Sequence, residues 1–495
     1  MSATTTYQPL DTEAALVTSV QLPIVTVEGF TNITPGEVVI FESGALGQVL
    51  TFTGTKITCL LHSKTAVGTG STVLRTGKQL GISVHDQMVG HLYSPLGASL
   101  GTELTAAKKT EYREVDTAPP PLTERHLVAD QVITGYSVVD LLLPIGQGQR
   151  ELIVGDAKTG KSEFLLEIAK SQAATNTIVV YTSIGKQRAV VKHLYDQQQA
   201  DPQLKQNMVI VASTAQDPVG TITQTPFTAM TVAEYFKDQG RNVLLILDDL
   251  STHAKFYREL SLVARKFPGR DSYPGDIFYT HARLLERAGC FDTADKTKGV
   301  SITCLPVAHT TNSDLTDFIV SNLISITDGH VLFDQHLFAE GYRPAIDTRL
   351  SVTRVGKQTQ TPLGRSFNRT LTSFFATYYR TLELTHFGTE LSTQSQQVIS
   401  RGNQLVAFFS DKSLTRLPLS VQLVLLGMVW HGWISSEQGH ELSTCKTALA
   451  SAYQDEAHQT LFDQLTGAES MDSFLEQLSK EQEKIRPLCK PTSKN

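Results

Sequence analysis

The stretch Glu151-Leu152-Ile153-Val154-Gly155-Asp156-Ala157-Lys158-Thr159-Gly160-Lys161-Ser162-Glu163-Phe164-Leu165 decides the fold of this chain. It reads as an apolar strand, a glycine-bearing loop and the start of an amphipathic helix. The loop satisfies the pattern G-x-x-x-x-G-K-[ST] in the context that gives it physical meaning, directly after a strand and opening a helix. Glycines let the backbone wrap phosphate oxygens, and the amides with the helix N-terminus supply partial positive charge. Lys161 can reach the outer phosphates and the Ser162 hydroxyl can ligate magnesium. Gly155, Asp156, Ala157, Lys158, Thr159, Gly160, Lys161 and Ser162 are therefore the candidate site for ATP or ADP with Mg2+.

Downstream, Val243-Leu244-Leu245-Ile246-Leu247-Asp248-Asp249 is an apolar strand ending in carboxylates. That arrangement places an acceptor for a magnesium-bound water beside the loop, and Asp248 is the candidate for it. Hydrolysis also needs a group to orient or deprotonate the attacking water, naturally at the end of the neighbouring strand. Here that strand, Ile178 to Thr182, runs into Ser183-Ile184-Gly185-Lys186-Gln187-Arg188, with no carboxylate until Asp196. Lys186 stands where a base is expected, so the reading is nucleotide binding without efficient turnover. The alternative is a base from elsewhere, Glu163 or Asp249.

Around this centre the texture changes twice. From 22 to 92, short β-branched runs broken by Gly29, Pro35-Gly36, Ser43-Gly44, Gly54, Gly68 and Gly77 predict a small β-barrel after a 21-residue N-terminal tail. A polar stretch from 108 to 125, with Pro119-Pro120-Pro121, reads as an extended linker. It lies inside a nucleotide-binding domain spanning 93–372, whose strands and helices alternate as in a mostly parallel, RecA-like sheet. The expected strands are Glu151 to Val154, Ile178 to Thr182, Met208 to Ala212, Val243 to Leu247, Val300 to Leu305 and Leu323 to Thr327. Beyond 373 the spacing becomes helical, with Met471, Phe474, Leu475 and Leu478 in phase, so 373–495 is a helical domain.

Composition agrees with a multidomain globular chain: 495 residues, 40 % hydrophobic and 19 % charged, enough apolar surface to order most of the length. The 43 basic residues against 49 acidic ones offer no blanket attraction to nucleic acid or anionic lipid. Cys59, Cys290, Cys304, Cys445 and Cys489 are an odd, scattered set that suggests neither a disulfide framework nor a zinc knuckle, and points to the cytosol. The opening residues lack an export signal. The longest apolar stretch, Val421 to Ile434, falls short of the roughly 20 residues needed to span a bilayer.

Longer segments carry a resemblance. Thr134-Gly135-Tyr136-Ser137-Val138-Val139-Asp140, Pro144-Ile145-Gly146-Gln147-Gly148-Gln149-Arg150, Asp248-Asp249-Leu250-Ser251, Pro268-Gly269-Arg270, Arg343-Pro344-Ala345-Ile346 and Leu350-Ser351-Val352-Thr353-Arg354-Val355-Gly356 resemble the alpha subunits of F-type ATP synthases. The likeness runs through nearly the whole chain. It implies a barrel, a nucleotide domain and a helical domain in a ring of alternating alpha and beta subunits around a rotor shaft. It implies catalytic sites mostly on beta, with Arg354 matching the arginine finger lent to the neighbouring beta site and Ser325 and Val352 near the shared interface. Arg343 and Pro344 match part of the adenine pocket of the non-catalytic site, and the loop Phe267 to Asp276 the bearing around the shaft. Lys186 falls where beta has its catalytic glutamate and alpha usually a glutamine.

The chain departs from the family at Ala157-Lys158, usually Arg-Gln, and at Ser162, usually Thr. It departs again where two pocket glutamines are expected and Asp411 and Ser413 stand, and at the N-terminus, which lacks the helical extension that engages the peripheral stalk. The resemblance places such a subunit at the cytoplasmic face of the cell membrane, peripheral and held by the complex, coupling ATP synthesis or hydrolysis to proton or sodium transport. Two other readings of the same residues are a self-sufficient homohexameric export-type ATPase, against which Lys186 argues, and a nucleotide-independent scaffold subunit.

Overall fold

The computed structural model describes residues 7–10, 13–101, 109–265, 267–293, 299–386, 392–410, 417–434 and 440–489. Six strands close an N-terminal barrel: β1 (Ala14–Gln21), β2 (Ile24–Glu28), β3 (Glu37–Phe41), β4 (Leu46–Thr53), β5 (Lys56–Leu61) and β6 (Thr72–Gln79), in the order β1-β2-β5-β4-β3-β6. The barrel thus begins inside the expected tail. Ala15 and Val17 of β1 are buried while Ala14, Leu16 and Thr18 face out, the period of two that a half-buried strand requires. This strand pairs with both β2 and β6 and removes the open edge the barrel would otherwise carry. The barrel strands end at Gln79; the following Gly81–Val84 pairs outside the barrel with Glu111–Glu114, which lies in the expected linker.

The central domain is built on a nine-stranded, mostly parallel sheet. Its strands are β7 (Leu92–Tyr93), β8 (Glu151–Gly155), β9 (Ile178–Lys186), β10 (Met208–Thr214), β11 (Val243–Asp248), β12 (Gly289–Asp292), β13 (Gly299–His309), β14 (Gly329–Phe333) and β15 (Val352–Thr353). The spatial order is β15-β14-β8-β13-β11-β9-β10-β7, with β12 antiparallel to β13. Five expected strands are present. Leu323 to Thr327 is not one of them: it falls largely in a helix, α6 (Phe318–Ile326), and the strand is β14 just after it. The β-branched run suggested a strand, but Asp317 caps the helix by accepting from the amides of Ile319 and Val320, and Ile319, Val320 and Leu323 bury one helical face.

Helices cover both sheet faces, including α1 (Lys161–Ala174), α2 (Arg188–Ala200), α3 (Val219–Asp238), α4 (Leu250–Val263) and α5 (Ile277–Leu285). In α1 one face is buried: Phe164, Leu165, Ile168 and Ala169 lie inside, and Phe164 packs on Tyr136 and Phe333 with ring centroids 4.9 and 5.1 Å away.

The C-terminal domain consists of α7 (Pro362–His386), α8 (Thr393–Phe409), α9 (Leu419–Trp430), α10 (His440–Ala452), α11 (Glu456–Thr466), α12 (Met471–Lys480) and α13 (Gln482–Ile485). Met471, Phe474 and Leu478 are buried as their spacing predicts. Phe474 and Leu478 come so close to α9 that a Cβ on Gly427 would lie 2.7 and 2.6 Å from them. Cys445 and Cys489 form a disulfide with Cα atoms 4.2 Å apart. The scattered spacing did not suggest this pairing; it arises because the last helices fold back and return the chain to α10 across 44 residues. Cys59, Cys290 and Cys304 are buried free thiols. Among the described residues no helix is long and apolar enough to cross a membrane.

Candidate nucleotide site

The phosphate loop sits at the carboxyl end of β8, the crevice where parallel sheets bind ligands. Gly155 has φ 149° and Gly160 φ 89°, and a Cβ on Gly155 would collide with the carbonyl of Phe333 on the adjacent strand. Asp156 is buried and braces the loop, accepting from Thr310 Oγ1 at 2.6 Å and from the Ser313 amide at 3.0 and 3.1 Å. Lys161 folds back into the loop, its Nζ donating to the carbonyls of Gly155 at 2.6 Å and Asp156 at 2.5 Å. Burial lowers its ammonium pKa to about 8, against the opposing pull of Asp248, Asp249 and Asp156. Ala157, Lys158 and Ser162 are exposed around the loop.

Lys186, at the end of β9, determines the electrostatics of the neighbouring strand end. Its Nζ lies 2.9 Å from Asp248 Oδ1 and also pairs with Asp249 Oδ2. Burial would depress its pKa, but the two carboxylates outweigh that and raise it. Asp248 Oδ2 accepts from the Tyr181 hydroxyl at 3.2 Å. Asp249 is fully buried and saturated: Oδ1 accepts from the Thr252 amide at 2.6 Å, and Oδ2 pairs with Lys186, with Thr252 Oγ1 at 3.0 Å and with His309 Nε2 at 3.0 Å. Burial pushes the Asp249 carboxyl up, but His309 and Lys186 hold it well below the usual range.

Asp249 therefore cannot take a proton from water as it stands, which removes one of the two alternative bases. Glu163 lies exposed in the first turn of α1. The pair expected to hold magnesium, Ser162 and Asp248, does not fit a hydrated divalent cation in this arrangement, because an ammonium stands on the Asp248 carboxylate. Among the described residues no cluster of three His, Cys, Asp or Glu side chains is disposed to hold a metal.

Arg343 packs its guanidinium over Phe338 with its carbon 3.6 Å from the ring centroid and donates to the carbonyls of Phe338 at 2.9 Å and Tyr342 at 2.6 Å. A Cβ on Gly160 would lie 3.5 Å from the same ring, so Phe338 borders the phosphate loop and Arg343 stacks on Phe338. The Arg343 amide donates to Ser410 Oγ at 3.3 Å, tying this border to the end of α8. Asp411 and Ser413 lie outside the described residues.

Arg354 lies elsewhere. It directly follows β15, which pairs with the start of β14, Thr353 opposite Gly329, and Gly329 is opposite Glu151, the first residue of β8. The phosphate loop leaves the other end of β8, opposite Phe333. Four residues of strand separate the two ends, about 13 Å at roughly 3.3 Å per residue. The Arg354 side chain is exposed, and its amide donates to the Asp328 carbonyl at 3.0 Å. Asp328 is in turn clamped by Arg150 through bonds of 2.8 to 3.0 Å. Ser325, near the end of α6, and Val352 on β15 are also exposed close to this edge in sequence. Arg343 thus reaches the loop's border only through Phe338, whereas 352 and 354 lie at the amino-terminal edge of the sheet and 325 in the helix that precedes β14.

Comparison with known proteins meets this geometry at the same places. A model described as the ATP synthase alpha/beta family, nucleotide-binding domain, matches residues 135–353, and one described as the ATP synthase alpha/beta chain, C terminal domain, matches 360–484. Relatives named ATP synthase subunit alpha from Streptococcus pyogenes serotypes M5 (strain Manfredo), M2 (strain MGAS10270) and M49 (strain NZ131) are each 34 % identical over 453 residues, covering 91 % of this chain and 89 % of theirs. The chain belongs to the ATP synthase alpha/beta family. Barrel, nucleotide domain and helical domain are the parts of an ATP synthase alpha/beta chain, and the phosphate loop lies within its nucleotide-binding domain.

Tyr181, His309 and Thr310 also shape the site but were not picked out from the sequence. They lie on or just beyond strands read as core, β9 and β13, and the only signal was their place near the carboxyl ends of those strands.

Proposed function

We propose that this chain is the alpha-type, non-hydrolysing subunit of a rotary F-type ATP synthase, alternating with beta subunits and lending Arg354 to the nucleotide that beta holds. The observation that carries the reading is the separation of Arg354 from this chain's own phosphate loop, combined with Lys186 where a base would be needed. An exposed guanidinium at the far end of the strand cannot serve its own loop, but it suits a phosphate presented by a neighbour. Its planar, permanently charged donors stabilise the charge that spreads over a transferring phosphoryl group. Ser325 and Val352 flank that contact. The chain's own loop, with Lys161, Arg343 and Pro344, binds ATP or ADP in a regulatory capacity.

In the assembled head, the exposed loop from Phe267 to Asp276 bears on the rotor shaft; Phe267 is 96 % exposed there. The head sits at the cytoplasmic face of the membrane, attached through the rest of the complex, and couples ATP turnover to proton or sodium movement. The test is Arg354→Ala in a ring reconstituted with its beta partner. Multisite ATPase should fall by roughly a thousandfold with the ring intact, and unchanged turnover would refute the finger.

A further inference from the structure

We propose that Lys186 is a built-in cation standing in the place of the divalent metal, so that this chain's phosphate loop takes a nucleoside di- or triphosphate without magnesium. The inference rests on the reading that the loop binds nucleotide, and names the charge state of its ligand.

In a phosphate-loop site the metal lies between the loop hydroxyl and the carboxylate that ends a neighbouring strand, bridging the outer phosphates. Here the strand-end carboxylates are Asp248 and Asp249, 7 % and 0 % exposed, and the Lys186 ammonium engages both. Magnesium demands an octahedral shell at about 2.0–2.1 Å and keeps several of its waters. The Asp248 oxygen that would receive such a water already receives an N–H from Lys186 at 2.9 Å, and its other oxygen receives the Tyr181 hydroxyl. Asp249 has no oxygen to spare.

Lys186 keeps a positive charge beside the strand-end carboxylates without a metal. Lys186 pairs with both carboxylates, and Lys161 lies close enough to feel them and Lys186. Lys158, in the left-handed region at φ 63°, stands exposed on the rim. A polyphosphate entering the loop would meet Lys161 and Lys158 on the loop and, beyond them, Lys186 on its two carboxylates. An ammonium is a compact point charge with donors that rotate, suited to bridging a carboxylate and a phosphate oxygen at once.

The experiment is equilibrium dialysis of the purified full-length chain against radiolabelled ATP, in EDTA and in millimolar magnesium, for the native chain, Lys186→Gln and Lys161→Ala. The native chain should bind ATP with affinities within about threefold of each other in the two buffers, whereas Lys186→Gln should prefer magnesium by about tenfold or more. Lys161→Ala should lose binding in both. If native binding collapses in EDTA, the inference fails while the nucleotide reading stands. Lys186→Gln binding equally in both buffers would also overturn it. No binding by the native chain in either buffer would overturn the inference together with the nucleotide reading.

Discussion

Replacing Lys186 by Met removes one charge from a buried cluster and leaves its partners behind. The side chain is 19 % exposed and its two acceptors, Asp248 and Asp249, are 10 % and 0 %. Deleting one member of a buried ion pair costs about 3–5 kcal/mol, because the orphaned carboxylate must stay ionised in a poor solvent or take up a proton. In a domain of this size each kcal/mol lowers the melting temperature by about 2–4 °C. The central-domain transition should therefore drop by roughly 6–20 °C in calorimetry near pH 7.

The pH dependence carries the sharper test. In the native chain the Asp249 carboxyl is held below its unfolded value of about 3.9, so its stabilisation is present above that pH and is lost below it. In Lys186→Met the donors from Thr252 and His309 remain while one cation is gone, so the Asp249 carboxyl is held down less and its protonation costs the variant less as pH falls. The gap between the two proteins should be widest near neutrality and narrow as pH falls towards the unfolded carboxyl value of about 3.9. An unchanged melting temperature near pH 7, or a gap of constant width, would refute the view that Lys186 neutralises this pair.

Three further outcomes follow from other groups. Asp140 is buried with four donors on its carboxylate, from Thr134 (amide and hydroxyl), Gly135 and Gln422, the last reaching across from α9. Asp140→Ala should cost about 3–5 kcal/mol through unsatisfied donors and loosen the C-terminal domain, read as faster amide exchange in α9. His62 and His253 are buried with pKa values lowered to about 4, so the unfolded chain takes up protons first. Their contribution is intact above about pH 6.5 and lost progressively down to about pH 4, and His62→Gln should flatten that limb of a pH-stability curve. Burial lowers the Lys161 pKa to about 8, so ATP affinity in dialysis should weaken as pH rises beyond that value; an affinity independent of pH from 7 to 10 would contradict its role.

How much of this was legible in the sequence depends on the range of the interaction. The loop from Gly155 to Ser162 and the buried face of α1 are local patterns, and their periods and spacings survive folding unchanged. The barrel was recognised but started late, because Ala15 and Val17 are only two inward residues in a threonine-rich stretch and their role emerges when β1 closes the edge between β2 and β6. The run 323–327 reads as a strand because Leu, Ile and Thr suit both a strand and a buried helix, and the arbiter is the cap at Asp317. The ion pairs of Lys186 join residues 62 and 63 positions apart through strand order, and the disulfide joins residues 44 apart through a helical return. Neither has a spacing signature. Arg354 was identified by resemblance; its distance from the home loop became visible only when the register of β8, β14 and β15 was known.

The central claim is that this chain completes a neighbour's site and cannot activate water at its own. Steady-state ATPase of the purified chain, measured alone and after mixing with its beta partner, tests that most directly. The account expects near-background turnover alone and a large gain on forming the alternating ring; brisk hydrolysis by the isolated chain would contradict it.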